Sequence, residues 1–330
     1  MNFSSMVKTA GVAALLAAAG ACAQSASTGS GQAFPGKPFR VVVPFSAGSA
    51  TDILARLIGP RMLEHWGEQV VVDNRPSAAG VIAGEIVARA APDGYTLLLS
   101  SSAFAGSAAL GIRLPYDSVK DFAGISQIAS TALVVVVAPS LGVKSLKELI
   151  ALAKQNPGKI NFASSGIGSG THYGSELFRL AAGIDTVHVP YKGTPEGLND
   201  TIAGRVEYYV APLLPTIPLI KSERLLPLAV SGTQRLPLLP DVPTIAEAAL
   251  PGFVYDGWFG LFAPARTPRT IINTLSREVA RIMALAEIKE RITSLGAVPT
   301  SSTPAEFDQL VHSEIRKRAE VFGGAGAKPN

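Results

Sequence analysis

The sequence predicts an α/β fold in which helices flank a mostly parallel sheet. From residue 39 onward, short apolar runs of strand length alternate with longer segments whose apolar residues recur at helical spacing. This alternation is typical of parallel sheets, because a parallel strand needs a crossover before the next one. Two strand-to-helix junctions, at residues 46–51 and 164–171, also consist mostly of small residues and hydroxyl side chains. Both are expected at the edge of the sheet where such folds bind ligands.

The first residues are expected to be an export signal and not part of the fold. Lys8 precedes an apolar run at 11–19, and small residues follow, which is the pattern of a secretory signal. The run is too short to span a bilayer, which needs about 20 apolar residues. Two processing routes remain open, namely cleavage after Ala23, or cleavage before Cys22 with lipid on that cysteine. Residues 1–23 are therefore predicted to be the signal, and residues 24–38 a flexible leader.

The composition limits the class of protein. About 290 residues remain after the leader, which is enough for two domains. Cys22 is the only cysteine, so no disulfide within the chain is possible. A hydrophobic content of 47% and a charged content of 16% allow two apolar cores. The net charge of +4 comes without a clustered basic stripe, so nucleic acid is not an expected partner.

The first part of the mature chain is expected to begin the sheet. Strands are predicted over residues 40–45, 70–72 and 95–99, with helices over 52–63 and through 86–87. The loop 46–51 opens the first helix, with Thr51 or Asp52 as its cap. Ser100, Ser101 and Ser102 follow the third strand, so we expect them at the same edge of the sheet as this loop.

A second α/β unit follows the β-branched run at 133–138. Further strands are predicted over 160–163, 185–189, 206–211 and 226–231, and the run 258–262 is apolar. Capping residues open further helices at Ser145, Thr194, Thr244 and Thr303. The last helix carries its apolar face on Phe307, Leu310, Val311 and Ile315.

The loop 164–171 is the strongest candidate for a binding site. It combines three glycines, three serines and a threonine at the start of a helix. Backbone N–H groups at a helix start lack intrahelical acceptors and carry partial positive charge, so they suit an anion. Neither this loop nor 46–51 contains Lys or Arg, so an acid held there would rely on N–H groups and hydroxyls. A tight turn that needs glycine only to fit remains an alternative for both loops.

The sequence does not match the catalytic and metal-binding motifs whose spacing it could be compared with. Ser169 lacks the glycine two places before it that a nucleophile elbow needs, and Thr171 stands where a dinucleotide fingerprint needs its last glycine. The histidines do not form metal-ligand spacings. The sequence therefore predicts no enzyme activity, no metal and no cofactor. A secreted serine hydrolase stays open as an alternative, provided that His172 or His188 reaches a serine in the fold.

Successive motifs resemble the extracytoplasmic solute receptors of tripartite tricarboxylate transporters, known as Bug proteins. The matching segments are PFSAGSATD at 44–52, DNRP at 73–76, PDGYTL at 92–97, SGIGS at 165–169, HVPYKG at 188–193, LPDVPT at 239–244 and WFGLFAP at 258–264. The similarity covers nearly the whole mature chain. It departs from the family pattern at 47–49, where Pro-Gly-Gly is usual, and at 77–79, where glycines are common, and both departures bear on the class of ligand.

The resemblance implies a two-lobed periplasmic binding protein of type II-like fold, each lobe a mostly parallel sheet flanked by helices. One lobe would comprise 39–133 together with 257–330, and the other 134–256. The protein would close on a small carboxylated solute in the periplasm and deliver it to the permease subunits of a tripartite tricarboxylate transporter, and we expect a monomer. A receptor that presents its ligand to a sensor protein fits the same motifs.

The residues expected to contact the ligand come from the two loops and the turns beside them. They are Phe45, Ser46, Ala47, Gly48, Ser49, Ala50, Thr51, Asp52, Ser101, Ser102, Ser165, Gly166, Gly168, Ser169, Gly170, Thr171, His172, Tyr191, Lys192 and Asp200. The resemblance implies that backbone groups, hydroxyls and ordered water hold the ligand carboxylate, without an arginine clamp.

Overall fold

The computed structural model describes residues 34–77, 80–109 and 113–324. The chain divides into two compact units, Met1–Gly36 and Lys37–Asn330, and the features below belong to the second. The predicted signal, Cys22 and most of the predicted leader lie outside the described residues, as do Ala78 and Ala79.

Three parallel strands form one end of the sheet. They are β1 (Phe39–Val43), β2 (Val70–Asn74) and β3 (Thr96–Ser101), in the order β2-β1-β3. Residues Val41, Val42 and Val43 of the middle strand are almost completely buried. A strand that is buried on both faces has a continuous apolar sequence, so the apolar run at 40–45 was enough to predict β1.

A second parallel group forms the other end of the sheet. It consists of β5 (Ile160–Ser164), β6 (Thr186–Pro190) and β7 (Tyr208–Pro212), in the order β7-β5-β6. Each of these strands lies within about two residues of its predicted position. The two parallel groups, with helices between their strands, confirm the predicted α/β fold class.

Two long antiparallel strands, β4 (Phe122–Val137) and β9 (Asp256–Pro264), join the two parallel groups. β9 pairs with β3 on one side and with β4 on the other. β4 pairs with β9 along 122–132, and from Leu133 onward it pairs with β7 and with β8 (Leu226–Val230). A short strand, β10 (Val298–Pro299), pairs with Ser130 and Ala129 of β4. The pairing partner of β4 therefore changes between Ala132 and Leu133.

The β-branched run at 133–138 marks only the second half of this strand, because β4 begins at Phe122. Its first half contains Gly124, Ser126 and Gln127, which weaken the apolar pattern of a strand. Two register shifts against β9, between Gly124 and Ser126 and between Gln127 and Ala129, also break the alternation of faces.

Helices cover both faces of the sheet. They are α1 (Ala50–Trp66), α2 (Val81–Ala88), α3 (Ala103–Ala109), α4 (Leu146–Gln155), α5 (Gly170–Ala182), α6 (Thr194–Ile202), α7 (Leu213–Lys221), α8 (Ile245–Ala248), α9 (Arg269–Ala284), α10 (Ala286–Ser294) and α11 (Pro304–Gly324). α3, α7, α9 and α10 were not expected from the sequence. α3 is short and made mostly of small residues, and α7 contains Pro218. α9 does have apolar residues at helical spacing, so its signal was available.

The last helix, α11, packs against β4 and α3. Phe307 and Val311 are buried in the core beneath β9, with Leu310 and Ile315 packed against them, which confirms the predicted apolar face. The Phe307 ring meets Trp258 edge to face, with ring centroids 5.4 Å apart. In the described part of the chain, no helix combines the length and apolar character needed to cross a bilayer.

Gly260→Ala is expected to destabilise the fold, because Phe307 fills the space beside this glycine. A Cβ at position 260 would lie 2.0 Å from Phe307 Cζ, and Phe307 is itself fully buried. Overpacking of this kind costs about 1–3 kcal/mol. Gly257→Ala in the same strand is the matched control, because its Cβ would meet nothing closer than 3.6 Å. Urea unfolding should show the loss for Gly260→Ala alone, and an equal loss in both variants would contradict this packing.

Candidate functional site

The first loop, at residues 46–51, connects β1 to α1, and hydrogen bonds to side chains of the loop and the first helical turn hold its shape. The expected cap at Thr51 or Asp52 was wrong, because α1 begins at Ala50 and Ser49 is its N-cap. Ser49 Oγ accepts the Asp52 N–H at 3.4 Å and lies 3.1 Å from the Thr51 hydroxyl. Gly48 has a φ of 79°, and its N–H donates to Asp52 Oδ2 at 2.9 Å. Glycine suits this left-handed conformation, which turns the loop back onto the start of the helix.

Asp52 braces this loop from within α1. Burial alone would raise the pKa of Asp52, but hydrogen bonds from Arg56 and Gly48 outweigh it and hold the pKa below its ordinary value. Arg56 also donates to Asn74 Oδ1 at 3.3 Å, and Asn74 Nδ2 donates to the Phe45 carbonyl at 3.0 Å. The carboxylate therefore supports the loop and is already occupied by its own partners.

The second loop, between β5 and α5, repeats this arrangement. Ser169 is the N-cap of α5, and its Oγ accepts the His172 N–H at 3.1 Å and lies 3.0 Å from the Thr171 hydroxyl. Gly168 has a φ of 76°, and its N–H donates to His172 Nδ1 at 3.1 Å. The shared pattern is Gly-Ser-x-Thr followed by Asp52 in the first loop and by His172 in the second. It is visible in the sequence once the two loops are aligned.

His172 closes the second loop as a neutral side chain. Its Nδ1 accepts a hydrogen bond, so that nitrogen carries no proton, and burial lowers the pKa of His172. Its ring stacks on that of His188 with centroids 4.2 Å apart. Burial, with the neighbouring His172, lowers the pKa of His188 to about 3. His188 Nε2 lies 2.6 Å from Ser164 Oγ, at the end of β5.

The two loops face one cleft. The cavity between its walls has a volume of about 40 Å³. α1 and α5 both start at this cleft, because Ala50, Thr51, Gly170 and Thr171 line it. None of the described residues that line it carries a charged side chain. The cleft therefore offers hydroxyls, aromatic rings and the first turns of two helices.

Half of the residues expected to contact the ligand line this cleft. They are Phe45, Ser49, Ala50, Thr51, Ser101, Ser102, Ser165, Ser169, Gly170 and Thr171. A further set belongs to the same two loops or to the first turns of their helices without lining the cleft, namely Ser46, Ala47, Gly48, Asp52, Gly166, Gly168 and His172. The Asp52 and His172 side chains do not line the cleft, because each turns back to its own loop and accepts the N–H of the loop glycine four residues earlier.

Tyr191, Lys192 and Asp200 do not line the cleft. The Tyr191 hydroxyl donates to Asp200 Oδ2 at 2.7 Å, and Asp200 also forms an ion pair with Arg205. Hydrogen bonds from Arg205 and Tyr191 lower the pKa of Asp200, so this carboxylate is held ionised by its own partners. Lys192 is exposed. Tyr191 and Lys192 lie in the turn that follows β6, and Asp200 lies in α6.

The segments on the two sides of the cleft also touch each other. The Ser46 hydroxyl donates to Glu196 Oε1 at 2.5 Å. A Cβ on Gly193 would lie 3.0 Å from Ser46 Cβ, and a Cβ on Gly106 would lie 2.1 Å from the Gly168 carbonyl oxygen. Glycine is therefore needed at position 106, where two backbones approach too closely for any side chain.

Several lining residues were not expected from the sequence. They are Thr131, Leu133, Thr194, Pro212, Tyr255, Gly257, Trp258 and Phe259. Most belong to β4 and β9 or lie next to them, and Thr131 pairs with Gly257 across these strands. A pairing between residues so far apart in the chain has no local motif. The run at 258–262 was identified as apolar, but neither the strand β9 nor its place beside the two loops was predicted.

The sequence of this chain is similar to those of known solute receptors. Residues 54–326 match the tripartite tricarboxylate transporter family receptor. The chain belongs to this receptor family. Protein BugT of Bordetella pertussis (strain Tohama I) is 34% identical over 331 residues, which cover 99% of each chain. The resemblance that the motifs predicted is therefore confirmed.

Solved structures of similar proteins share the fold. R. palustris Rpa4515 with adipate superimposes with a TM-score of 0.86 at 35% identity, over 89% of this chain and 98% of that one. MatC (Rpa3494) from Rhodopseudomonas palustris with bound malate gives a TM-score of 0.83 at 32% identity, over 87% and 99%. This chain is thus a solute-binding receptor with the fold of a periplasmic binding protein.

The free energy of unfolding is expected to fall on acidification, because the fold keeps His188 neutral. Its pKa is about 3 in the fold and 6.5 ordinarily, so the unfolded chain binds more protons between these values. The part of the free energy of unfolding that depends on neutral His188 is complete above pH 6.5. It shrinks as the pH falls toward 3, by up to about 1.4 kcal/mol per pH unit.

His188→Gln removes this proton-binding site and leaves the other titrating groups in place. Urea unfolding of both proteins at pH 7 and pH 5 should show a larger loss of stability on acidification for the wild type. The same pH dependence in both would mean that His188 is not held neutral by the fold.

Proposed function

We propose that this receptor binds a small dicarboxylate in the cleft and releases it to the permease of a tripartite tricarboxylate transporter. The observation that carries the proposal is that α1 and α5 both begin at a cleft whose described lining holds no charged side chain. Each helix start carries partial positive charge and N–H groups without intrahelical acceptors. Two such starts at one cleft suit a ligand with two carboxylates.

The loops hold these helix starts in a fixed geometry. The Thr171 hydroxyl accepts the Ser165 N–H at 2.9 Å and lies within 3.0 Å of the Ser165 and Ser169 hydroxyls. Ser49, Thr51, Ser169 and Thr171 are each at most 4% exposed. A site that is already ordered loses little conformational entropy when the ligand binds. This supports binding through preformed N–H and hydroxyl donors.

The similar proteins support the class of ligand. The structures of Rpa4515 and MatC contain adipate and malate, and both molecules carry two carboxylates. In this chain, an uncharged cleft at which two helices start also suits a molecule with two carboxylates. Which dicarboxylate this chain prefers depends on the side chains of the walls, such as Phe45, Trp258 and Phe259.

We also propose that the ligand lies between two lobes, one formed by 39–133 with 257–330 and the other by 134–256. The change of pairing partner along β4, between Ala132 and Leu133, supports a boundary there. The contact of Ser46 with Glu196 and that of Gly106 with Gly168 join residues of different lobes. These contacts break when the lobes open to admit the ligand.

The proposed setting is the periplasm, where a monomeric receptor meets its permease. Family membership favours a permease over a sensor protein as the partner. The signal pattern around Lys8 and Ala23 supports export. Lipid attachment at Cys22 and plain secretion after Ala23 remain the two processing routes, and labelling with palmitate separates them.

The serine hydrolase alternative has one contact in its favour, between His188 Nε2 and Ser164 Oγ. Ser164 is fully buried, does not line the cleft and accepts the Gly166 N–H at 3.1 Å. A base with a pKa of about 3 is also too weak to remove a proton efficiently near neutral pH. We therefore propose that the receptor binds its ligand without turnover.

Calorimetric titration with adipate and with malate tests this function. The wild type should bind at least one of them with one site per chain, and the ligand should be recovered unchanged. A ligand at 100 times its Kd should also stabilise the fold by about 2.7 kcal/mol in thermal unfolding. No binding of either molecule would overturn the proposal, as would steady hydrolysis of p-nitrophenyl acetate that Ser164→Ala abolishes.

Variants of the second loop should separate N–H binding from binding by a cation. Gly168→Val is expected to abolish measurable binding, because its φ of 76° does not suit valine. Thr171→Val keeps the shape but loses a hydroxyl, and its Kd should rise roughly 10- to 150-fold. Lys192→Ala is the matched control and should bind like the wild type, with circular dichroism to check folding. Loss of binding in Lys192→Ala with intact binding in Gly168→Val would refute the arrangement.

A further inference from the structure

A buried arginine lies directly behind the cleft. Arg318, in the last third of α11, is 0% exposed, although Arg316 and Lys317 beside it are exposed. A charged side chain is rarely buried so completely unless it is paired. Its ion pair is with Glu314 one turn earlier, where Oε2 accepts from Arg318 Nε at 3.2 Å and from Nη2 at 3.1 Å.

The guanidinium of Arg318 reaches past Glu314 toward the cleft. Its Nη2 also donates to Tyr255 Oη at 3.1 Å, and its Cζ lies 4.2 Å from the centre of the Tyr173 ring. Its Nη1 is buried and has no hydrogen-bond partner among the described residues. Glu314 has 17% of its side chain exposed, so water screens the carboxylate more than the guanidinium. The positive end of this pair therefore faces Tyr255.

Tyr255 connects Arg318 to the wall of the cleft. Its hydroxyl lies 3.2 Å from Ser102 Oγ, and both Tyr255 and Ser102 line the cleft. A Cβ on Gly170 would lie 2.5 Å from Ser102 Oγ and 3.2 Å from Tyr255 Oη. The two hydroxyls therefore abut the first turn of α5, and glycine at position 170 leaves room for them.

The chemistry of arginine fixes the direction of the first bond in this chain. An arginine only donates, so Tyr255 Oη must accept from Arg318. Tyr255 and Ser102 then have two hydroxyl protons, and the bond between them uses one. Whichever of the two donates to the other, the second proton remains available at the cleft wall. The pair is thereby held as a hydrogen-bond donor toward the cleft.

We infer that Arg318 is a positioning residue for the anionic ligand, acting through the Tyr255 and Ser102 hydroxyls. Its Nη2 donates to Tyr255 Oη, which leaves one hydroxyl proton of the Tyr255–Ser102 pair for the cleft, and Arg318 places a buried positive charge behind a cleft that has no charged lining. The inference rests on the proposed function, since it requires a carboxylate in the cleft. It adds a charged group to a site that otherwise works through N–H groups and hydroxyls.

The test compares Tyr255→Phe, Arg318→Met and the double variant with the wild type, by calorimetric titration with adipate and malate. Each single variant should raise the Kd roughly tenfold or more, because a hydrogen bond to a charged group is lost or loses its orientation. The double variant should bind no more weakly than the worse single variant, because both changes break one chain. Arg318→Lys keeps a charged donor and should bind more tightly than Arg318→Met.

The matched control is Arg281→Met, which removes an arginine paired with Glu278 within α9 and outside the cleft lining. It should leave the Kd unchanged. If Arg318→Met does not fold, Arg318→Gln takes its place in the cycle with Tyr255→Phe, and the same lack of additivity is expected. Circular dichroism and thermal unfolding identify the folded variants.

Three outcomes would overturn the inference. Unchanged affinity in Tyr255→Phe and in folded Arg318→Met, while the wild type binds, would overturn the role of Arg318 and leave the proposed function standing. Additive losses in the double variant, with no rescue by Arg318→Lys, would show a structural role only. Failure of the wild type to bind either dicarboxylate would overturn the proposed function and this inference together.

Discussion

The site depends on one hydrogen bond that is made twice, from the N–H of a loop glycine to a side chain four residues later. The acceptor is the Asp52 carboxylate in one loop and the neutral His172 ring in the other. This bond folds each loop back onto its helix, so that the N-cap serine and the first helical turn face the cleft. The Asp52 charge is offset by Arg56, and a neutral His172 adds none. The positive potential of the helix starts is therefore left for the ligand.

The two loops come together because β4 and β9 pass between the parallel groups. The same strands bring distant parts of the chain to the back of the cleft, where Ser102 follows β3, Tyr255 precedes β9 and Arg318 belongs to α11. In a buried setting of this kind, hydrogen bonds polarise one another and an unpaired polar group is costly. A site without a charged lining can then still discriminate in favour of an acid, because its donors are fixed in number and direction.

Much of the fold could be predicted because its signals are local. The apolar run of β1, the small-residue loops before α1 and α5 and the apolar face of α11 are each contained in one short segment. The first half of β4 could not, because Gly124, Ser126 and two register shifts hide its pattern. The two loops of the site were located by composition, whereas Tyr255 and Arg318 were missed. Their position depends on which strands pair and where the last helix packs, and no single segment contains that information.

The central claim is that backbone N–H groups at two helix starts hold the ligand, and amide NMR tests it most directly. In ¹⁵N-labelled protein titrated with adipate or malate, the amide protons of Ala50, Thr51, Gly170 and Thr171 should move downfield, as expected for N–H groups that donate to a carboxylate. Their midpoints should agree with the calorimetric Kd. If these four amides stay in place while the ligand saturates the protein and the Lys192 side chain responds, the acid is held by a cation, and the account is contradicted.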